Sequence, residues 1–193
     1  MKLSIIPSYN PKPEKEYCCV PAVLQMIQER RNLTFASQDE IGYQLGLIVP
    51  KDKMNLFSKV RTGSMPKNGW GTQTRKSEYS IENYFIQNRL PLKFDMYPLT
   101  KIADISQFII QNLMENNDII LCYNSRVLFG DGDSEHVSLI QEFDAENGKL
   151  IIIDPAIGVP KIREAELSNL IEAIKTQATN NLYGLWIVSE IEK

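Results

Sequence analysis

The sequence predicts an α+β fold in which an N-terminal helical part packs on a mostly antiparallel sheet. Apolar residues recur at helical spacing early in the chain, whereas short apolar or alternating runs cluster later. Helices followed by strands are typical of α+β proteins. The chain has 193 residues, so we expect one domain over residues 1–193, large enough to bury a hydrophobic core.

The composition excludes several classes of protein. A hydrophobic content of 43% and a charged content of 23% are ordinary for a soluble globular protein. The net charge of −3 gives no electrostatic reason to expect nucleic acid, and no apolar run is long enough to predict a membrane span. Three cysteines, two of them adjacent, do not make a disulfide framework. We therefore expect a cytoplasmic protein with no nucleic-acid or membrane partner.

The N-terminal elements lead to a cysteine at the start of a helix. Residues 3–6 suit a short strand, and residues 7–16 form an extended loop that begins with Pro7 and also contains Pro11 and Pro13. Pro21 suits the first turn of a helix because it has no N–H to lose. The apolar residues that follow at helical spacing are Val20, Val23, Leu24 and Ile27.

Cys19 is the candidate nucleophile. A thiol at the start of a helix lies among unpaired N–H groups at the positive end of the helix dipole, which favours the thiolate. The thiolate is the reactive form. Buried cysteines more often serve as small apolar residues, so a partner base is needed to support the assignment. The adjacent Cys18 should lie outside the helix, with its side chain directed away from the base.

The middle of the chain predicts a second helix and then a long loop. Ser37 with Glu40 is a capping box, so a helix begins there. Residues 48–77, the 48–77 segment, are basic and repeatedly broken by glycine and proline. Two interpretations are open, a surface excursion or a substrate-facing loop in which Trp70 binds substrate.

The remaining elements follow from periodicity and turn residues. Helices are predicted at Ser80–Arg89, Ala103–Glu115 and Arg163–Gln177, and strands at Leu92–Tyr97, Ile119–Tyr123 and Leu182–Ile191. Asn147-Gly148 is a turn signal, and it predicts a hairpin that pairs 137–144 with 148–154.

The hairpin brings a histidine and an aspartate together. His136 is the one histidine of the chain, and histidine exchanges protons near neutral pH. Asp154 emerges at the end of a buried strand, before Pro155. Pairing outward from the turn places His136 near Asp154. Cys19, His136 and Asp154 could therefore serve as the nucleophile, the base and the orienting acid of a catalytic triad.

No motif indicates a metal or a cofactor. The acidic run Asp131, Asp133 and Glu135 lacks the glycine and the closing glutamate of a calcium loop. One histidine and scattered cysteines cannot supply four zinc ligands, and no phosphate-binding glycine loop is present.

At these residues the sequence resembles the bacteriocin-processing (double-glycine leader) cysteine peptidases and the wider papain-like set. The matching residues are Cys19 followed by Pro21-Ala22, then His136-Val137, then Asp154-Pro155. The resemblance implies a papain-like fold and a peptide or protein substrate. It also implies that Cys19 is the nucleophile, His136 the base and acid, and Asp154 the orienting acid.

Two positions depart from the pattern of that family. The family carries Asp-Cys-Gly where this chain has Cys18-Cys19-Val20, and it has an oxyanion-hole glutamine about six residues before the nucleophile. Pro13 stands at about that place, and Asn10 is the candidate amide donor.

Three functions therefore stay open beside the main hypothesis, which is a cysteine peptidase. They are an acyl or peptidyl transferase, an inactive papain-like peptide-binding module, and an interaction protein in which Cys19, His136 and Asp154 lie far apart.

Overall fold

An antiparallel sheet forms the centre of the fold in the computed structural model, which describes residues 1–67, 69–132, 135–176 and 183–191. Its strands within those ranges are β1 Lys2–Ser4, β2 Leu92–Pro98, β3 Asp118–Asn124, β4 Glu135–Asp144, β5 Lys149–Ile153, β6 Ile162–Glu166 and β7 Gly184–Glu190. The strand order is β2-β7-β3-β4-β5-β6, with β1 paired to β4. Each of these pairings is antiparallel.

The helices of the described residues pack on this sheet. They are α1 Cys19–Arg30, α2 Gln38–Gln44, α3 Ile81–Gln87, α4 Ile105–Met114, α5 Ser125–Phe129 and α6 Leu167–Lys175. α1 packs against β4 and α2, α4 against β1 and β3, and α6 against β3 and β6. The predicted α+β architecture is confirmed. Among the described residues, no helix has the length and hydrophobicity needed to cross a membrane.

α1 is buried on nearly every side, although its sequence predicts only one apolar face. Its apolar residues from Val20 to Ile27 are at most 5% exposed. Gln25 and Gln28 are also buried, and their amides donate to the carbonyl oxygens of Ala36 and Leu24. Satisfied polar groups of this kind can be buried at little cost. Because the helix is enclosed, the position of its first residue, Cys19, is set by the core.

Local sequence signals determine how the neighbouring elements begin. The Ser37 hydroxyl accepts from the Glu40 N–H at 3.2 Å, which confirms the predicted cap of α2. Gly148 has a φ of 66° in the turn between β4 and β5, a conformation that glycine adopts without strain. The predicted hairpin is therefore present.

The last predicted helix is partly wrong. Residues 162–166 form β6, which pairs with β5, and α6 begins only at Leu167. Burial alternates along β6, where Ala165 is buried between exposed Glu164 and Glu166. This period of two is that of an edge strand, and pairing with β5 outweighs the helical spacing that follows. The predicted helix end at Gln177 and strand start at Leu182 lie outside the described residues.

The 48–77 segment is pinned to the rest of the fold at several points. Ile48 forms isolated bridges with Arg61 and Gly71, and 3₁₀ turns occupy Lys51–Leu56 and Ser77–Tyr79. The Arg61 guanidinium lies 4.4 Å from the centre of the Tyr43 ring. In its described part, the segment is thus packed against α2.

Candidate active site

Cys19 is the first residue of α1, and the turn before it presents the thiol at the helix entrance. Tyr17 has a φ of 65°, and the Cys18 N–H donates to the Lys15 carbonyl at 2.9 Å. No side chain caps the first N–H groups of α1. Cys19 is half-buried, so it contacts the core and can still meet a substrate. The helix therefore offers backbone donors beside an accessible thiol.

Sheet register brings His136 and Asp154 together. Leu139 pairs with Ile153, so the next step outward sets Asp154 opposite Ser138. The His136 side chain, two residues beyond Ser138, lies on the same face of β4. Nε2 of His136 donates to Oδ1 of Asp154 at 2.8 Å. This bond leaves Nδ1 as the ring nitrogen available to Cys19.

Further contacts orient both partners of this bond. Oδ1 of Asp154 also accepts from the Ala156 N–H at 2.9 Å, and Oδ2 accepts from Arg163 at 3.1 Å. The Tyr123 ring lies edge-on to the imidazole with a centroid distance of 5.9 Å. Asp154 is 1% exposed. A buried carboxylate with this many donors holds the imidazole in one orientation.

The electrostatics of the pair favour a protonated imidazole. Burial lowers the pKa of His136, but the hydrogen bond with Asp154 and the nearby Cys19 sulfur raise it by more, to about 10. Burial raises the pKa of Asp154, whereas His136, the Ala156 N–H and Arg163 lower it by more, so the pKa lies below its ordinary value. An imidazolium is thus held beside Cys19 at neutral pH.

Glu14 lies at the same place as Cys19 and His136. A carboxylate oxygen of Glu14, the Sγ of Cys19 and a ring nitrogen of His136 all lie within 4.8 Å of one another. The structure therefore brings Cys19, His136 and Asp154 together, and the alternative in which the three lie far apart is wrong. The arrangement has the parts needed for nucleophilic attack by a thiolate assisted by an imidazole.

Known structures share this architecture. A C39-like peptidase from Bacillus anthracis superposes with a TM-score of 0.62 over 100% of this chain and 98% of that chain, at 11% sequence identity. The peptidase domain of Streptococcus ComA, a bifunctional ABC transporter of a quorum-sensing pathway, gives a TM-score of 0.54 over 94% and 96%, at 15% identity.

The chain has the C39-like peptidase fold. The resemblance to bacteriocin-processing peptidases predicted from the sequence is confirmed at the level of the fold. No protein-family model matches the sequence, and a search of curated proteins gives no match.

The structure does not bring Asn10 to the site. The Asn10 amide is exposed and donates to the Glu29 carboxylate at 3.2 Å. Glu29 is in the last turn of α1, about 15 Å along the helix from Cys19 at 1.5 Å per residue. The prediction of Asn10 as an oxyanion donor is therefore wrong, because the arm carrying it crosses the far end of the helix.

Glu14 is the site residue that the sequence reasoning missed. It lies only five positions before Cys19, in the extended arm beside Pro13. The Glu14 N–H donates to the Pro155 carbonyl at 2.8 Å, next to Asp154. A contact between the arm and the loop after β5 cannot be read from local sequence patterns, although the short spacing to the nucleophile was a usable signal.

The other two cysteines lie in apolar surroundings. Cys18 is fully buried beside Leu47, Val49 and Phe57, in a cluster separate from the main core. Burial raises the pKa of its thiol strongly. Cys122, in β3, is buried as well, and its pKa is raised for the same reason. Neither thiol has the environment of a nucleophile, in agreement with the prediction for Cys18.

Trp70 lies in the part of the 48–77 segment that passes the site, and its side chain is half-buried. The adjacent Gly71 lies near the Tyr17 carbonyl, just before the two cysteines. Further along, Arg75 pairs with Glu135 at 3.7 Å, next to His136. The segment therefore runs between the entrance of α1 and the start of β4.

Within the described residues, one group of three or more His, Cys, Asp and Glu side chains could hold a metal ion, and it is Glu14, Cys19 and His136. In the acidic run considered as a calcium loop, Asp131 is paired with Arg163 at 2.8 Å. Asp133 of that run lies outside the described residues.

Proposed function

We propose that the protein is a cysteine peptidase that cleaves a peptide or amide bond of a peptide or protein, using Cys19, His136 and Asp154. The observation that carries the proposal is the position of His136. Its Nε2 is bound to buried Asp154 at 2.8 Å, while its ring also lies within 4.8 Å of the half-exposed Cys19 thiol. The C39-like fold supports it.

In the proposed reaction the Cys19 thiolate forms a bond with the carbonyl carbon, and the carbonyl π electrons move to oxygen. The Cys19 N–H, left free of a side-chain cap, donates to this oxyanion. As the C–N bond breaks, the His136 imidazolium gives its proton to the departing amine. His136 then takes a proton from water, which attacks the thioester and releases the acid and the thiolate.

Trp70 is proposed to bind the substrate, because its segment runs between Tyr17 and Glu135 on the approach to the site. The proposed reaction uses side chains, the Cys19 backbone N–H and water. Three free thiols, at Cys18, Cys19 and Cys122, suit a reducing compartment, so we propose that the protein acts in the cytoplasm.

Selective alkylation tests the activated pair. Iodoacetamide is applied at about pH 5.5 to the wild type, to His136→Ala and to the control Cys18→Ala, and labelled sites are mapped by mass spectrometry. Fast labelling at Cys19 that falls at least tenfold in His136→Ala and persists in Cys18→Ala is expected, because imidazolium stabilises thiolate.

The opposite result separates the peptidase from the peptide-binding module. If Cys19 labels slowly and only near the pH at which free thiols ionise, the imidazole does not activate it. The peptidase proposal would then fail, and binding of peptides would be the function to measure.

A further inference from the structure

A third titratable side chain, the carboxyl group of Glu14, lies beside the Cys19 thiol and the His136 ring. The Glu14 carboxyl lies within 4.8 Å of both the Cys19 sulfur and a ring nitrogen of His136. Its side chain is half-buried, so it borders the space open to a substrate. Among the described residues no group donates a hydrogen bond to this carboxyl. The Glu14 carboxyl can therefore form hydrogen bonds with a group bound at the site.

The backbone around Glu14 is held on both sides. The Glu14 N–H donates to the Pro155 carbonyl at 2.8 Å. The Gln38 side chain accepts from the Lys15 N–H at 2.7 Å and donates to the Pro13 carbonyl at 2.9 Å. Three consecutive residues of the arm are thus bound to α2 and to the loop after β5. Such support is what a positioned functional group requires.

The protonation state of Glu14 decides its effect on an oxyanion. An ionised carboxylate would repel the developing negative charge, whereas a carboxylic acid can donate its proton in a hydrogen bond. The titratable groups facing it are Cys19 on α1, His136 on β4, and Asp154 and Lys161 after β5. Burial and Asp154 raise the pKa of Glu14, while His136 and Lys161 lower it, and the net shift is upward.

We propose that Glu14, in its protonated form, donates the side-chain hydrogen bond of the oxyanion hole and makes acyl transfer by this site favour acidic conditions. The proposal rests on the proposed function. Glu14 then takes the role that a glutamine amide has in the related peptidases, with the difference that a carboxyl donor can be lost by ionisation.

The chemical step balances without an added reactant. The Cys19 sulfur bonds to the carbonyl carbon, and the carbonyl electron pair moves to oxygen, where it accepts from the Glu14 O–H. When the electron pair returns, the bond to the leaving group breaks and that group departs with its electrons. The Glu14 proton stays on Glu14 throughout.

Two reactions of Cys19 isolate this contribution. Acetylation by p-nitrophenyl acetate passes through an oxyanion, whereas alkylation by iodoacetamide displaces iodide and forms none. Both consume the same thiolate, so the ratio of the two rate constants cancels changes in thiolate population. The ratio is measured at about pH 4.5 and pH 7.5, with Cys19 modification followed by mass spectrometry.

In the wild type the ratio of acetylation to alkylation is expected to rise about tenfold or more from pH 7.5 to pH 4.5, since one oxyanion donor is worth about 10²–10³ in rate. Glu14→Gln should give a high ratio at both pH values, because an amide does not ionise. Glu14→Ala should give a low ratio at both. Glu16→Gln, an acidic residue of the same arm paired with Lys53 at 2.9 Å, is the matched control and should follow the wild type.

A wild-type ratio that does not change with pH overturns the proposal, and so does a Glu14→Ala ratio equal to that of the wild type. Failure of the peptidase function gives a different result, because His136→Ala would then leave alkylation of Cys19 unchanged whatever Glu14 does.

Discussion

At the scale of single residues, Arg163 of β6 links the Asp154 carboxylate to a second carboxylate. Arg163 donates to Asp154 at 3.1 Å and to Asp131 at 2.8 Å, and its guanidinium lies 3.6 Å from the centre of the Phe129 ring. Arg163 therefore keeps the Asp154 carboxylate ionised and fixed while the other oxygen holds His136. A planar guanidinium suits this double role better than an ammonium.

Replacing Asp154 by Asn should make the Cys19 thiol less reactive while the His136 imidazole stays in place. Loss of the carboxylate charge lowers the His136 pKa from about 10, so fewer molecules hold the imidazolium–thiolate pair. We expect labelling of Cys19 by iodoacetamide in Asp154→Asn to fall below that of the wild type as the pH rises from about 5.5 to about 8, because the imidazole of the variant loses its proton at a lower pH and then no longer stabilises the thiolate.

The control for Asp154→Asn is Glu164→Gln, at the exposed end of an ion pair with Lys149 on neighbouring strands. It should label like the wild type. Unchanged labelling in Asp154→Asn would show that Asp154 does not set the charge state of His136.

At the scale of elements, the two ends of α1 have different partners. Its first turn meets the site, whereas its last turn is tied to the sheet by charges. Arg30 and Arg31 both donate to buried Asp118 at the start of β3, and the Tyr9 hydroxyl donates to the same carboxylate at 2.8 Å. Asp118 is fully buried, and its carboxylate accepts hydrogen bonds from these three side chains.

Asp118→Asn should destabilise the whole protein. Among the described residues, the change leaves the buried Arg30 guanidinium without a counter-charge and leaves Arg31 with only the exposed Glu190, and breaking a buried pair typically costs about 3–5 kcal/mol. The free energy of unfolding, measured with urea, should fall by about that amount.

The matched change for Asp118→Asn is Glu190→Gln, which weakens an exposed partner of Arg31. It should cost about 0–1 kcal/mol. Equal effects of the two variants would contradict a structural role for Asp118.

The same elements show why sequence patterns predict some of the site and not the rest. The hairpin is local, because an Asn-Gly turn joins two consecutive apolar strands, and this is enough to predict that His136 lies near Asp154. The final register also depends on a β-bulge between Ile140 and Glu142, which the turn does not predict. The path of residues 7–16 is not local, because Gln38 and Pro155 decide which arm residue reaches Cys19. Asn10 was therefore misassigned and Glu14 missed.

Secondary structure shows the same division. The caps of α2 and α5 are local, because each capping side chain binds an N–H three residues along the chain. In α5 the Asn124 side chain accepts from the Val127 N–H at 3.2 Å, but this helix is too short to be predicted from periodicity. β6 is a strand because β5 is available to pair with it, and that partner lies in another part of the sequence.

At the scale of the whole molecule, the 48–77 segment connects the two parts of the site. It contacts α2 through Arg61 and Tyr43, passes Tyr17 at Gly71, and reaches β4 through the Arg75–Glu135 pair. If the protein is the proposed peptidase, a peptide that reaches Cys19 between α1 and β4 would contact this segment, and the segment would contribute to substrate selection.

Trp70→Ala tests that role. A buried aromatic contact to a peptide contributes about 2 kcal/mol or more, so kcat/KM for cleavage of a peptide library should fall about tenfold or more. Alkylation of Cys19 by iodoacetamide should not change, because that small reagent does not use the segment.

The comparison variant for Trp70→Ala is Phe35→Ala, an exposed aromatic outside the segment. It should leave both reactions unchanged. A loss of alkylation in Trp70→Ala would instead indicate damage to the site itself.

The order of the site residues along the chain has a consequence for protein synthesis. Cys19 is synthesised before His136 and Asp154, which come after three and after five of the seven described strands, respectively. The same holds for α1 as a whole, because its last turn needs Asp118 of β3 and Glu190 of β7 for its charge partners. Contacts between residues so distant in sequence form late in folding. The proposed pair of Cys19 and His136 would therefore form only after the strands that carry His136 and Asp154 have joined the fold.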